Sequence, residues 1–258
     1  MATVLLIGES WFTQLTEVKG FDSFTVNGYE VGTQWIEPAL TADGHEFRHL
    51  PSHLVDSAWP DLSDVDVVLV SDCGANTFLL GAATFTGGEP VPNKLAELAE
   101  FVRGGGSLGM IGGYLSFSGI DAKAQFAGTQ LADVLPVVIA CTDDRVELPQ
   151  GVDPVATQVD HVALGGATCF GPLLGYNQVQ ARPEANVLAM CGDDPLVAIW
   201  EVGAGRAFAY TSDCGPHWAS RSYADSPDYA RLWQGLVSWA AHGGEGSQGR
   251  PPDRDPRP

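Results

Sequence analysis

Basic residues are scarce in this sequence: 13 Lys and Arg stand against 32 Asp and Glu in 258 residues, a formal net charge of -19. A surface this acidic repels phosphate backbones and anionic headgroups, which excludes a general nucleic-acid binder and a membrane-surface protein. Long apolar runs are also missing. The longest, such as Val65 to Val70 and Val134 to Cys141, fall far short of the ~20 residues that span a bilayer. The first residues carry no basic stretch and no small-residue cleavage site, so they do not read as a signal peptide. Cysteine is sparse and scattered over Cys73, Cys141, Cys169, Cys191 and Cys214, with no C-x-x-C pair. That spacing argues against a disulfide framework or a zinc ribbon, and the expected compartment is a reducing cytoplasm.

What is present is an apolar fraction of 45%, ordinary for a globular chain and well above the disordered range. Strands are expected at Thr3 to Ile7, His45 to His49, Asp66 to Val70 and Ser107 to Ile111, with helices over Thr33 to Asp43 and Pro92 to Arg103 between them. Residues 9–32 read as a long loop. Alternating strands and helices at this spacing imply right-handed crossovers and a mainly parallel sheet covered on both faces. Ligands of such sheets bind beyond the carboxyl ends of the strands, which directs attention to the loops starting at Gly8, Ser71, Gly112 and Ser212.

The middle of the chain is less regular. Val134 to Ala140 and Asn186 to Cys191 read as strands flanking a polar segment that includes Thr142 to Glu147. Leu196 to Val202 and Arg206 to Thr211 then form a hairpin around Gly203-Ala-Gly205. Pro227 to His242 has the helical period, with Ser226 as its N-cap. One domain, 1–242, is expected, followed by a disordered tail, 243–258, rich in Gly, Pro and charge. The tail's three acids and three arginines cancel, so the net charge belongs to the domain.

Chemistry-bearing residues cluster in those loops. A sharp turn after a central strand is where α/β enzymes expose a Ser or Cys nucleophile, yet here the turn is Ile111-Gly-Gly-Tyr-Leu-Ser-Phe117, with no thiol. Close backbone packing or a ligand-binding turn presenting Tyr114 both fit it. Cys73 follows an acid, Asp72, which disfavours a reactive thiolate, and the other four cysteines read as small buried hydrophobes. His45, His49 and His53 are four apart, but Pro51 interrupts any helix that could line them up on a metal; His53 is the one expected to face a pocket. His217, beside Asp213 after a strong strand, is a candidate acid/base or a locally bonded turn residue. Asp143-Asp144-Arg145 reads as an internal ion pair or as an anion site.

A series of short motifs carries a resemblance. Gly8-Glu-Ser-Trp11, Lys19-Gly-Phe-Asp22, Tyr29-Glu30, His49-Leu-Pro-Ser-His53, Ser71-Asp72, Gly74-Ala-Asn-Thr77, Gly104 to Gly106, Ile111 to Phe117, Leu135-Pro136, Asp143 to Glu147, Leu174-Gly-Tyr-Asn177, Thr211-Ser-Asp213 and Pro216-His-Trp218 together resemble the class I glutamine amidotransferase-like family. This is the cytoplasmic type related to trehalose-utilisation proteins. The resemblance implies an α/β fold of flavodoxin-like type, a three-layer sandwich with a mainly parallel central sheet. Class I amidotransferases place a Cys at the turn after the fourth strand and a His-x-Glu pair after a late one, and hydrolyse glutamine through a thioester. This chain has Gly113 and Tyr114 at the first place, and Trp218 and Ala219 follow His217 at the second.

Two expectations follow. The first is a small-molecule site, sugar- or amide-like in its ligand, with His217, Asp213 and Tyr114 as catalytic candidates. Its ligand-binding candidates are Glu9, Ser10, Trp11, Lys19, Asp72, Asn76, Arg145 and Trp218. Lys19 and Arg145 are the cations expected to hold an anionic group or the pocket's carboxylates. The second is a non-catalytic accessory subunit that uses the fold as a partner surface. Neither a cofactor nor a metal is expected, and the oligomeric state stays open, homo-oligomers being common among related folds.

Overall fold

The computed structural model describes residues 1–242; the expected tail lies outside the described residues. The strands, in chain order, are β1 (Thr3–Gly8), β2 (Ser10–Lys19), β3 (Asp22–Val31), β4 (Glu46–Leu50), β5 (Val67–Ser71), β6 (Ser107–Ile111), β7 (Val137–Val138), β8 (Arg145–Val152), β9 (Val155–Ala156), β10 (Leu173–Asn177), β11 (Gln180–Ala181), β12 (Asn186–Cys191), β13 (Asp194–Val202) and β14 (Gly205–Tyr210). The helices are α1 (Ile36–Ala42), α2 (Ala75–Leu79), α3 (Ala82–Phe85), α4 (Lys94–Arg103), α5 (Arg221–Ala224) and α6 (Pro227–Ala241).

One eight-stranded sheet runs β4-β1-β5-β6-β14-β13-β12-β9. Its first five strands pair in parallel and the last three extend it antiparallel. Counting only the parallel strands in chain order, their arrangement is 2-1-3-4-5, the flavodoxin-like order. Strand alternation divides the core. Val4 and Leu6 of β1 with Val67 and Leu69 of β5 join the layer that includes α1 and α6, whereas Leu5, Ile7, Val68 and Val70 join the layer of α4. Both faces are therefore covered, which is why these strands read as unbroken apolar runs. The two longest helices have side-chain N-caps: Asn93 accepts from Leu95 N and Ala96 N for α4, and Ser226 accepts from Tyr229 N for α6.

Two segments differ from expectation. Residues 9–32 are not a loop: β2 and β3 form an antiparallel ribbon turning at Gly20, φ 70°. Its apolar residues fall on both faces, so neither the strand nor the helix period stood out. The strand expected at Val134 to Ala140 shrinks to β7, which pairs only with β11, because Pro136 cannot donate to a ladder and a 3₁₀ turn occupies Ala132–Val134. The polar segment ahead of Glu147 leads directly into β8, which pairs with β10 outside the main sheet.

Candidate functional site

Four parallel strands end side by side, and each delivers one acid or aromatic residue to the same place. Glu9 follows β1, Asp72 follows β5, Tyr114 follows β6 and Asp213 follows β14, and all four line a cavity of about 420 Å³. Glu9 and Asp72 both sit in left-handed backbone, at φ 44° and 41°. Such conformations cost on the order of 1–3 kcal/mol in a non-glycine residue and persist where the surroundings enforce them. The turn after β6 needs glycine for a different reason: a Cβ on Gly112 would stand 2.1 Å from the carbonyl oxygen of Thr211.

The turn is held from behind. Asn177 of β10, fully buried, accepts from Gly113 N at 3.0 Å and donates to Asp144 Oδ1 at 2.8 Å. Asp144 also accepts from the backbone N–H groups of Ser118 and Gly119 at 2.9 and 2.8 Å. Ser116 Oγ accepts from Asp72 N, and Leu115 N donates to Asp72 Oδ1 at 2.7 Å, tying the β5 loop to the β6 turn.

Electrostatics set the protonation states. Glu9 is 3% exposed. Its Oε1 accepts from Ser71 Oγ at 2.5 Å and from the Cys214 thiol at 3.4 Å. Burial, followed by the neighbouring Asp213 and Asp72, pushes its carboxyl up to about 8, so it is largely protonated at neutral pH. Burial and then Asp213 push Asp72 up to about 6. Asp213 faces His217 Nδ1 at 3.4 Å and accepts from Gly215 N at 2.9 Å. This contact with Asp213 is the main cause of a raised imidazole pKa. The His217 ring stands edge-on to Tyr114, centroids 4.3 Å apart, and stacks on Trp218 at 5.4 Å.

Of the residues singled out from sequence, Glu9, Trp11, Asp72, Tyr114, Asp213 and His217 line the cavity. Trp218 lies behind His217, its indole N–H donating to Glu147 at 3.1 Å. Of the two readings of Arg145 the ion pair holds and the ligand contact is corrected: it pairs with Asp143 at 2.7 Å and covers the Tyr114 ring at 5.1 Å, outside the cavity lining. Lys19 is a second correction. It sits at the ribbon tip, paired with Glu17 at 2.8 Å, because residues 9–32 run outward as a ribbon instead of folding back over the pocket. Ser10 Oγ is used up by Ser52 N at 2.9 Å, and Asn76 is exposed on α2. Glu30, Gly32, Gln34 and Trp35 join the lining; none was a ligand-binding candidate, although Tyr29-Glu30 is one of the motifs that carry the resemblance.

The histidine trio does not converge. His49 Nε2 donates to the Gly8 carbonyl at 2.8 Å, His45 faces Asp43 and His53 packs against Phe12 and Tyr29 on the ribbon, outside the lining of this cavity. Among the described residues, ligand-capable atoms of Glu9, Asp213 and Cys214 lie within 4.8 Å of one another. Burial and the neighbouring acids push the Cys214 thiol up, as they do the Glu9 carboxyl, so a cation would have to displace both protons to bind here. Cys73 is buried with its thiol likewise pushed up, whereas Cys141 and Cys169, expected inside, are exposed. Both lie in loops, where no core surrounds them.

Comparison with known proteins agrees with the fold. A family model described as "Putative glutamine amidotransferase" (GATase1_like) matches residues 3–242. Two solved structures, the cytoplasmic proteins STM3548 of Salmonella typhimurium and STM1381 of Salmonella typhimurium LT2, are 41% and 40% identical, with TM-scores of 0.89 and 0.88. Each alignment covers 92% of this chain, and 98% and 99% of theirs. The fold alone also recurs in a β-galactosidase from Bacillus circulans sp. alkalophilus, at 17% identity and a TM-score of 0.52, over 82% of this chain and 26% of that one. No curated protein matches the chain. The match over nearly all described residues, with the flavodoxin-like order of the sheet, establishes that the chain belongs to the glutamine amidotransferase-like family.

Proposed function

We propose that the chain binds a small, polar, sugar- or amide-like molecule at the carboxyl ends of β1, β5, β6 and β14, with His217 and Asp213 as its acid/base pair. The observation that carries this reading is the convergence of Glu9, Asp72, Tyr114, Asp213 and His217 on one cavity of about 420 Å³. That volume suits a small ligand. Trp11 and Trp35 in the lining offer apolar faces against which the C–H face of a sugar packs. Protonated Glu9 can donate a hydrogen bond while Asp213 accepts one, a mixture that matches hydroxyl and amide groups. With acids and no Lys or Arg among the described residues of the lining, the site favours neutral or cationic ligands over anions.

In this reading the chain is not a thioester glutaminase. Gly113 and Tyr114 occupy the turn after β6, and the nearby thiols of Cys73 and Cys214 are buried and held protonated, so no thiolate is available to attack an amide. His217 instead carries the proton traffic: Asp213 fixes its Nδ1 side and favours the imidazolium, leaving Nε2–H to donate to a bound oxygen or nitrogen. The same reading places the protein in the cytoplasm, in line with the names of its two Salmonella relatives. Among the described residues no helix is long and apolar enough to cross a membrane.

A thermal-shift screen of sugars, amino acids and amides tests the site. At least one ligand is expected to raise the melting temperature, and His217→Ala should abolish that shift while leaving the unliganded melting temperature nearly unchanged. Ligand shifts that survive His217→Ala remove this residue from the site. Glutamine hydrolysis by the wild type that persists in Cys73→Ser and Tyr114→Phe would overturn the account of the missing nucleophile.

A further inference from the structure

Glu9 has one oxygen to spare. The residue is almost wholly buried, and its Oε1 already accepts from Ser71 Oγ and from the Cys214 thiol. Its Oε2 has no hydrogen-bond partner among the described residues, and it stands on the cavity side. Gly32, also in the lining, marks the place: a Cβ there would clash with Glu9 Oε2 and come within 3.3 Å of Trp11 Cζ3. The missing side chain leaves a gap in which a free carboxyl oxygen lies beside an indole ring. Asp72 repeats the pattern, with Oδ1 accepting from Leu115 N and Oδ2 without a partner among the described residues. Carboxylate oxygens of Glu9 and Asp213 come within 4.8 Å of each other, close enough for one nitrogen at ~2.8 Å from each to serve both.

The protein brings little positive charge to these acids. Arg145 is paired with Asp143 and Lys19 with Glu17, both outside the lining, and His217 is engaged by Asp213. The rings of the lining differ in the same respect. Arg145 covers Tyr114 at 5.1 Å and Arg221 covers Trp35 at 5.2 Å, whereas no Lys or Arg stands over Trp11 among the described residues. An indole without a cation, next to an unpartnered carboxyl oxygen, is a seat for an organic ammonium group.

We propose that the ligand enters this cavity as a protonated primary amine, its nitrogen held between Glu9 Oε2 and the Trp11 ring with Asp72 and Asp213 as further acceptors. The ligand class is a small amino alcohol or amino sugar, with Gln34, Tyr114 and His217 left in the lining for its hydroxyl groups. The inference rests on the reading of the cavity as a small-molecule site and narrows it. Binding also moves a proton. Because Oε1 accepts two hydrogen bonds, the proton of the neutral Glu9 acid sits on Oε2; the ammonium N–H takes its place there, and the proton passes to solvent. The titratable groups facing Glu9 are Asp72, Asp213 and Cys214, and His217 faces Asp213 and Asp72.

Isothermal titration calorimetry with matched probes tests it: ethanolamine against ethylene glycol, serinol against glycerol, and glucamine against glucitol. In at least one pair the amine is expected to bind about tenfold tighter or more. Comparison of phosphate with MOPS buffer near pH 7 should show release of about one proton per amine bound. Glu9→Gln, which keeps an acceptor for Ser71, should bring amine and alcohol close to equal and abolish that release, separating it from any proton lost by His217. Trp11→Leu should weaken the amine roughly three- to fivefold, and Gly32→Ala should block it with far-ultraviolet circular dichroism unchanged. Amines that bind no tighter than their alcohols overturn the proposal; the small-molecule site survives if a neutral sugar or amide binds, and falls as well if nothing does. An amine preference that persists in Glu9→Gln also overturns it, as does zinc ion alone binding and excluding the amine.

Discussion

Replacing Glu9 by Gln tests how the buried acids shape both stability and the site. Unfolded, this carboxyl ionises near 4.5; folded, burial and the neighbouring Asp213 and Asp72 push it up to about 8. Between those two values unfolding releases a proton that the native state retains. The native state therefore loses about 1.4 kcal/mol of stability per pH unit across that window, on the order of 5 kcal/mol in total. Below the lower value and above the upper one the contribution is flat. Gln has no proton to lose, and its amide oxygen can accept the Ser71 hydroxyl as Oε1 does now. Urea denaturation of both proteins from about pH 5 to about pH 8 should show near-equal stability at the acid end, and a variant more stable by roughly 4 kcal/mol at the other. Asp72 titrates in both proteins and cancels to first order in the comparison. Parallel profiles, with a constant difference across the range, would refute the assignment of Glu9 as a buried protonated acid.

Two further outcomes are expected. Asn177→Ala leaves Gly113 N and one lone pair of Asp144 without their buried partner, and should cost about 2–3 kcal/mol in urea denaturation; a loss below about 0.5 kcal/mol would mean the turn after β6 does not depend on it. Labelling with a thiol-reactive dye should modify Cys141 and Cys169 in the native protein, and Cys73, Cys191 and Cys214 only after unfolding. Native labelling at Cys214 would contradict the closed packing around Glu9.

Much of the frame was legible in the sequence because buried parallel strands are unbroken apolar runs. Ser107 to Ile111 and Asn186 to Cys191 match their strands end to end. The four loop origins at Gly8, Ser71, Gly112 and Ser212 lie at the strand ends that build the cavity. The site was legible where a candidate sat next to a strand end, as for Glu9, Asp72, Tyr114 and Asp213. It was not legible where a candidate depended on the path of residues 9–32. Lys19 was expected at the pocket as one of the few cations in a shared motif; a ribbon carries it away. For Arg145 the ion-pair alternative holds and the ligand contact does not, since Asp143 two residues earlier captures its guanidinium.

By itself the sequence determined the three-layer sheet and the acidity of the domain, because apolar period and charge are properties of residue order and composition. It also determined that no thiol follows Ile111. Only the tertiary structure decided which acids share a cavity, since Glu9, Asp72 and Asp213 are far apart in the chain and meet only when their strands lie side by side. Their protonation was decided there too: a carboxyl is driven to stay neutral by lost water and neighbouring charge, and both come from packing.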